Sequence, residues 1–186
     1  MDSGPYERGS KTGIRNALMA KEIINRVANS KLSTIDLEDI YPDGPRTTFD
    51  IAPWLLEGIV LREKDFRLFV KEHDWSQYDN HFVALHCTTD AIIPGWAYML
   101  VSLQLAAHAQ QVVVGTLSDL ETVICTDLIS KMDLEPYRDT PVIIKGCAQK
   151  PIPENAFVLL AQRLQPIAKN IMYGEACSSV PLYKRR

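Results

Sequence analysis

Four cysteines, Cys87, Cys125, Cys147 and Cys177, are the residues of this chain with the most distinctive chemistry. They stand far apart with no CxxC pair, so their spacing writes neither a zinc ribbon nor a redox motif. Cys125 falls inside a helical pattern among apolar neighbours and reads as core. The other three follow short apolar runs or glycines, with His86, Asp90 and Glu175 close by in sequence. Thiolate with imidazole or carboxylate suits zinc or iron, or an iron–sulfur species. A thiolate beside a helix N-terminus is also reactive and could carry sulfur. The competing explanation is packing, because cysteine is small and buries easily, and Cys87 shares strand parity with Val83 and Leu85. Cys147 after Gly146, and Cys177 in the turn-rich GEACSSVP, are harder to assign to packing.

What would gather these residues is the order of the elements behind them. Apolar runs at residues 82–87, 112–114, 142–145 and 171–173 recur about every 30 residues, with helical patterns between them. A strand–helix–strand unit has about that length. Uniformly apolar, β-branched runs of this kind predict an α/β fold: a mostly parallel sheet of four C-terminal βα units with helices on both faces. The helix after Gly115 is predicted to open with Ser118 as N-cap and Glu121 completing a capping box. In open parallel sheets, ligands lie beyond the carboxyl ends of the strands. That edge would receive His86, Cys87, Thr88, Thr89 and Asp90 from the first strand, and Gly115 from the second. It would receive Lys145 and Cys147 from the third, and Glu175 and Cys177 from the fourth. The expected metal or sulfur site is therefore Cys147 and Cys177, with Cys87, His86, Asp90 and Glu175 as helpers.

The first half is less regular. Residues 1–12 read as a flexible leader, and residues 13–186 as a single domain with no interior linker. An amphipathic helix is predicted over residues 14–28. Residues 33–40 and 46–51 flank the turn YPDGP and predict a β-hairpin at the sheet edge. Residues 59–61 suggest a further strand, and residues 62–73 (REKDFRLFVKEH) an amphipathic helix. The scattered histidines His73, His81 and His108 read as surface or capping residues.

Of 186 residues, 46% are hydrophobic and 23% charged, the balance of an ordinary globular protein. A net charge of −3 argues against nucleic acid as the main partner, since phosphate binding needs a basic face. No apolar run reaches the roughly 20 residues of a membrane-crossing helix, and the N-terminus has no secretory signal. Free thiols in a cytoplasmic protein are the expectation. GxGxxG, GxxxxGK[ST], GxSxG and HExxH are all missing, so no nucleotide cofactor is expected, and neither is the commonest serine hydrolase or zinc protease.

Four stretches carry a resemblance: residues 61–78 (LREKDFRLFVKEHDWSQY), 90–100 (DAIIPGWAYML), 142–147 (VIIKGC) and 171–184 (IMYGEACSSVPLYK). They resemble an uncharacterised bacterial family, domain of unknown function 2480, over residues 24 to 184. Ala176 stands where that family's GExCS turn carries a proline. The family has no assigned activity. The resemblance implies gene neighbourhoods of iron–sulfur cluster assembly, and hence iron–sulfur assembly proteins as partners of a cytosolic accessory protein. Three functions stay open: metal or sulfur handling, a non-catalytic protein-interaction module using the hairpin and the helix at residues 62–73, and an enzyme acting on a small anionic substrate. The oligomeric state is not written in the sequence.

Overall fold

Seven strands and four helices order the described residues, which in this computed structural model are 32–146, 149–175 and 177–186. They belong to one compact unit, Lys31–Arg186. The leader and the helix expected over residues 14–28 lie outside the described residues. In chain order the strands are β1 (Ser33–Ile35), β2 (Arg46–Asp50), β3 (Phe82–His86), β4 (Gln111–Val114), β5 (Pro141–Ile144), β6 (Asn170–Glu175) and β7 (Ser178–Lys184). The helices are α1 (Glu63–Glu72), α2 (Gly95–Leu105), α3 (Leu117–Lys131) and α4 (Glu154–Leu164).

The α/β class and the predominance of parallel pairing agree with expectation, but the strands divide between two sheets. One is all parallel in the order β2-β3-β4, and the other runs β1-β5-β6-β7 with β7 alone antiparallel. The break falls between β4 and β5, where the 30-residue period predicts a single continuing sheet. The cause is α3. Its Leu120 and Ile124 pack on Phe82 and Ala84 of β3, while its Cys125 and Ile129 join a second core with Val142, Ile144, Leu160 and Ile171. A helix with two apolar stripes is a shared layer, and it sends the next strand into a different sheet. The other face of β3 presents Val83 and Leu85 to Phe66, Val70, Ala97 and Val101 of α1 and α2. Both faces of β3 are thus covered, which is why its run is uniformly apolar.

The predicted hairpin does not form. β1 pairs with β5 and β2 with β3, both in parallel, so the two segments enter different sheets. Pro42 and Pro45 remove backbone donors that a hairpin end would use. Residues 37–40 are a 3-10 turn capped by Asp36, whose carboxylate accepts from Glu38 N. Residues 59–61 also miss a strand. Leu56 and Val60 form a lone antiparallel bridge around Glu57 and Gly58, both at positive φ (52° and 72°), the signature of a tight type I′ turn.

Candidate functional site

The start of α3 sets the site. Its capping box lies two residues earlier than Ser118–Glu121: Thr116 Oγ1 accepts from Asp119 N (3.2 Å), and Asp119 Oδ2 accepts from Thr116 N (2.7 Å). The preceding Gly115 has φ +144°, and a Cβ there would lie 2.6 Å from Asp119 Oδ2, so the cap requires glycine. The shift releases Glu121 from capping and turns it inward. It is the one buried charged residue among those described, at 6% exposure.

Glu121 meets Arg46 at the head of β2. Arg46 Nε donates to Glu121 Oε1 at 3.0 Å, and the two side chains are 16% and 8% exposed. Arg46 Nη1 donates to the carbonyls of Pro42 (2.9 Å) and Gly44 (2.6 Å). Its guanidinium carbon lies 4.4 Å from the Tyr41 ring centroid and 4.5 Å from that of Phe82, so two aromatic rings pack against the charge. Among the described residues, two buried atoms of the pair, Arg46 Nη2 and Glu121 Oε2, have no hydrogen-bond partner of good geometry. Burial pushes the Tyr41 phenol well above its ordinary range, and the neighbouring Glu121 carboxylate reinforces the shift. One helical turn past Glu121, burial pushes the Cys125 thiol up to about 11; Glu121 adds to this and Arg46 opposes it. At neutral pH both groups keep their protons.

Above this pair opens a cleft of about 520 Å³, lined by Tyr41, Arg46, Leu117, Ser118, Glu121, Pro151 and Pro153. The volume lies in the range of small-molecule sites, and the walls are mainly apolar. Ser118 and Leu117 belong to the first turn of α3, and Pro153 is the N-cap residue of α4. The segment bearing Pro151 is tied down by Glu38, whose Oε1 accepts from Lys150 N at 2.8 Å and also from Gln149 N. A buried ion pair, a protonated phenol and apolar walls can hold and orient a small molecule.

The described residues among those predicted from sequence lie elsewhere, and the two sheets share them out. His86, Cys87 and Asp90 follow β3. There Asp50 Oδ1 accepts from Thr88 N (3.0 Å) and Ala52 N (2.9 Å), and its Oδ2 accepts from Thr88 Oγ1 (2.6 Å). Burial works against the Asp50 carboxylate, but these bonds and nearby His86 hold it below its usual range. Cys87 is half-buried, with Sγ 3.3 Å from Thr89 Oγ1. Glu175 and the exposed Cys177 stand at the β6–β7 turn of the other sheet. Lys145 pairs with Asp36 at 2.5 Å. Cys147 lies outside the described residues, but Gly146 before it packs on Tyr173, whose hydroxyl donates to the Gly146 carbonyl at 3.3 Å. Among the described residues, no group of three or more His, Cys, Asp and Glu side chains is arranged to hold a metal ion. Cys125 is core, as its neighbours predict.

Sequence reading passed over Arg46 and Glu121 because each has an ordinary local explanation, a strand start and a cap partner. The signal was present: Leu120, Ile124 and Cys125 mark the buried arc of α3, and Glu121 is the charged residue within it.

No helix among the described residues is long and apolar enough to cross a membrane. No curated protein and no solved structure matches the chain. One family model does, over residues 21–185, nearly the whole chain and including every residue of the cleft. The chain therefore belongs to the family described as "Protein of unknown function (DUF2480)".

Proposed function

We propose that this protein binds a small, largely apolar molecule in the cleft between α3 and the segments bearing Tyr41 and Pro151. The observation that carries the reading is the cleft itself: about 520 Å³ of mainly apolar space with the buried Arg46–Glu121 pair in its wall. Sites of this size and character, with a few fixed polar groups, are what small ligands occupy. An anionic substrate fits it less well. Glu121 already balances Arg46, and the Asp119 carboxylate already meets the positive end of α3. The test is a fragment screen by two-dimensional NMR on the native chain and on Leu117→Trp. Leu117 is 42% exposed on the cleft wall, so tryptophan there fills the space without entering the core. Fragments should move resonances of Ser118 and Glu121 in the native chain and lose that effect in the folded variant. Binding that persists in Leu117→Trp, or that maps elsewhere, refutes the reading.

A second reading, metal or sulfur handling in the cytosol alongside iron–sulfur assembly proteins, keeps support from one observation. The chain leading into Cys147 packs on β6 just ahead of the turn that exposes Cys177 and carries Glu175. In this reading Cys147 and Cys177 do the chemistry. Metal and acid-labile sulfide in protein purified without oxygen, abolished in the Cys147→Ser/Cys177→Ser variant, is the expected result. Metal content that the double variant leaves unchanged disposes of it.

A further inference from the structure

We infer that the protein associates as a twofold dimer, in which β4 pairs antiparallel with β4 of a second copy and joins two three-stranded sheets into one. This association does not depend on the cleft. β4 is an outer strand: β3 lies on one side, and among the described residues no strand lies on the other. A row of backbone donors and acceptors is open along it, and proteins blunt such edges with charge, proline, a bulge or shortness. The other three sheet edges carry those devices. β1 is three residues long, β2 begins on Arg46 and ends on Asp50, and β7 holds Pro181 and Lys184 beside a bulge between Ile171 and Met172 of β6. β4 is Gln-Val-Val-Val and has no charge, proline or bulge. Val112 packs against the core of α1 and α2 and Val113 against that of α3, yet both are only half-buried, and Val114 is 55% exposed.

A second copy is the occupant this edge fits. Residues 91–118, which include α2 and β4, contain no Asp, Glu, Lys or Arg. A twofold contact sets one patch against the same patch, and like charges brought together there are costly. A chain of net charge −3 therefore meets itself best through its uncharged stretch. A stable dimer buries about 800 Å² on each partner, more than a short strand supplies. The helices on the two faces of the sheet add the remainder. On α2, Trp96 packs on Phe66 of α1, with ring centroids 5.7 Å apart. Tyr98, about 200° further round, takes the flank away from α1. Met99 next to it and Leu103 one turn on are 62% and 70% exposed. On α3, Glu121 faces Arg46 of β2, so Val123, about 200° further round, stands exposed on the β4 side. The acidic residues one turn either side of Val123 are already engaged, Asp119 in the cap and Asp127 with Lys131 at 2.6 Å. Pairing β4 with β4 closes the open ladder and brings α2 beside α2 and α3 beside α3.

Sedimentation equilibrium on the native chain, Val114→Lys and Val180→Lys tests this, together with hydrogen exchange at the β4 amides that do not bond β3. Both replaced side chains are exposed, so the variants keep the fold, which their urea midpoints check. The native chain should sediment at twice the mass of one chain. Its outward β4 amides should exchange at least about tenfold more slowly in the dimer than after dilution. Val114→Lys puts like charges on an edge that meets itself and should raise the dissociation constant at least about 100-fold. Val180→Lys, on β7, should leave it unchanged. A native chain that stays monomeric at millimolar concentration overturns the inference. So does a dimer that Val114→Lys leaves intact or Val180→Lys dissolves, because the copies then meet elsewhere. Outward β4 amides as fast in the dimer as after dilution refute strand pairing. The same amides slow at every dilution would show the edge covered within one chain, and the inference fails.

Discussion

Replacing Glu121 by methionine removes one partner of a buried ion pair and leaves the other charged. Breaking such a pair costs about 3–5 kcal/mol, because the remaining ion is held away from water without compensation. Arg46 would keep its bonds to the carbonyls of Pro42 and Gly44 and its contacts with the Tyr41 and Phe82 rings. The cost of Glu121→Met should therefore fall at the low end, about 3 kcal/mol. Arg46→Met strips those carbonyls as well and isolates a carboxylate whose side chain is only 8% exposed, so about 4 kcal/mol is expected. The double variant has neither stranded charge and should cost no more than Arg46→Met alone. The three values define a coupling of about 3 kcal/mol, near the upper end for contacting residues. Urea denaturation of all four proteins measures it, provided the slope with denaturant stays constant. For a domain of this size Glu121→Met should also lower the melting temperature by about 6–12 °C. Single effects that add to within about 0.5 kcal/mol would show that the two groups do not sense each other, and the account of the cleft wall would be wrong.

Other outcomes follow from the same structure. Thr116→Ala should cost about 1 kcal/mol by removing the cap of α3. Gly115→Ala should cost more, because its φ of +144° and a 2.6 Å approach to Asp119 Oδ2 leave no room for a methyl group; a smaller loss than for Thr116→Ala would contradict this. His73 sits among Phe49, Trp54, Trp75 and Tyr78, with the Trp75 ring centroid 4.6 Å away. Burial holds its imidazole below the ordinary value, with Asp74 opposing. The unfolded chain then takes up this proton at higher pH than the folded one. The stability it contributes is complete above about pH 6.5 and is lost as pH falls through the folded value. His73→Phe should flatten the fall in urea midpoint between pH 7 and 5, and an unaltered slope would count against the burial argument. Alkylation followed by mass spectrometry should label exposed Cys177 rapidly and Cys125, 5% exposed with its thiol pushed up to about 11, only on unfolding. Equal rates would refute that contrast.

Local pattern made the elements legible and left their assembly hidden. The run FVALH reads as a buried strand because apolar residues fill both parities, and α1 reads as a helix because Phe66 and Val70 sit one turn apart. Which strands become neighbours depends on where α3 directs its two stripes, a property of packing that no 30-residue period contains. The hairpin expected around YPDGP fails for the same reason. The turn signal is real, but β1 continues into one sheet beside β5 and β2 into the other beside β3, so the turn joins two sheets instead of two paired strands. The cysteines attract attention by chemistry alone, whereas Arg46 and Glu121 lie 75 residues apart and look ordinary until the fold joins them.

Because α3 is a wall of both cores, neither sheet can be lost while the other survives intact. That makes the described unit one cooperative block with its least exchangeable amides in the middle of a helix. Slow exchange should centre on residues 120–129 and fade toward the lone Leu56–Val60 bridge and the outer strand β7. A ligand seated against Glu121 would brace that same helix, so occupancy of the cleft would register as protection throughout both sheets.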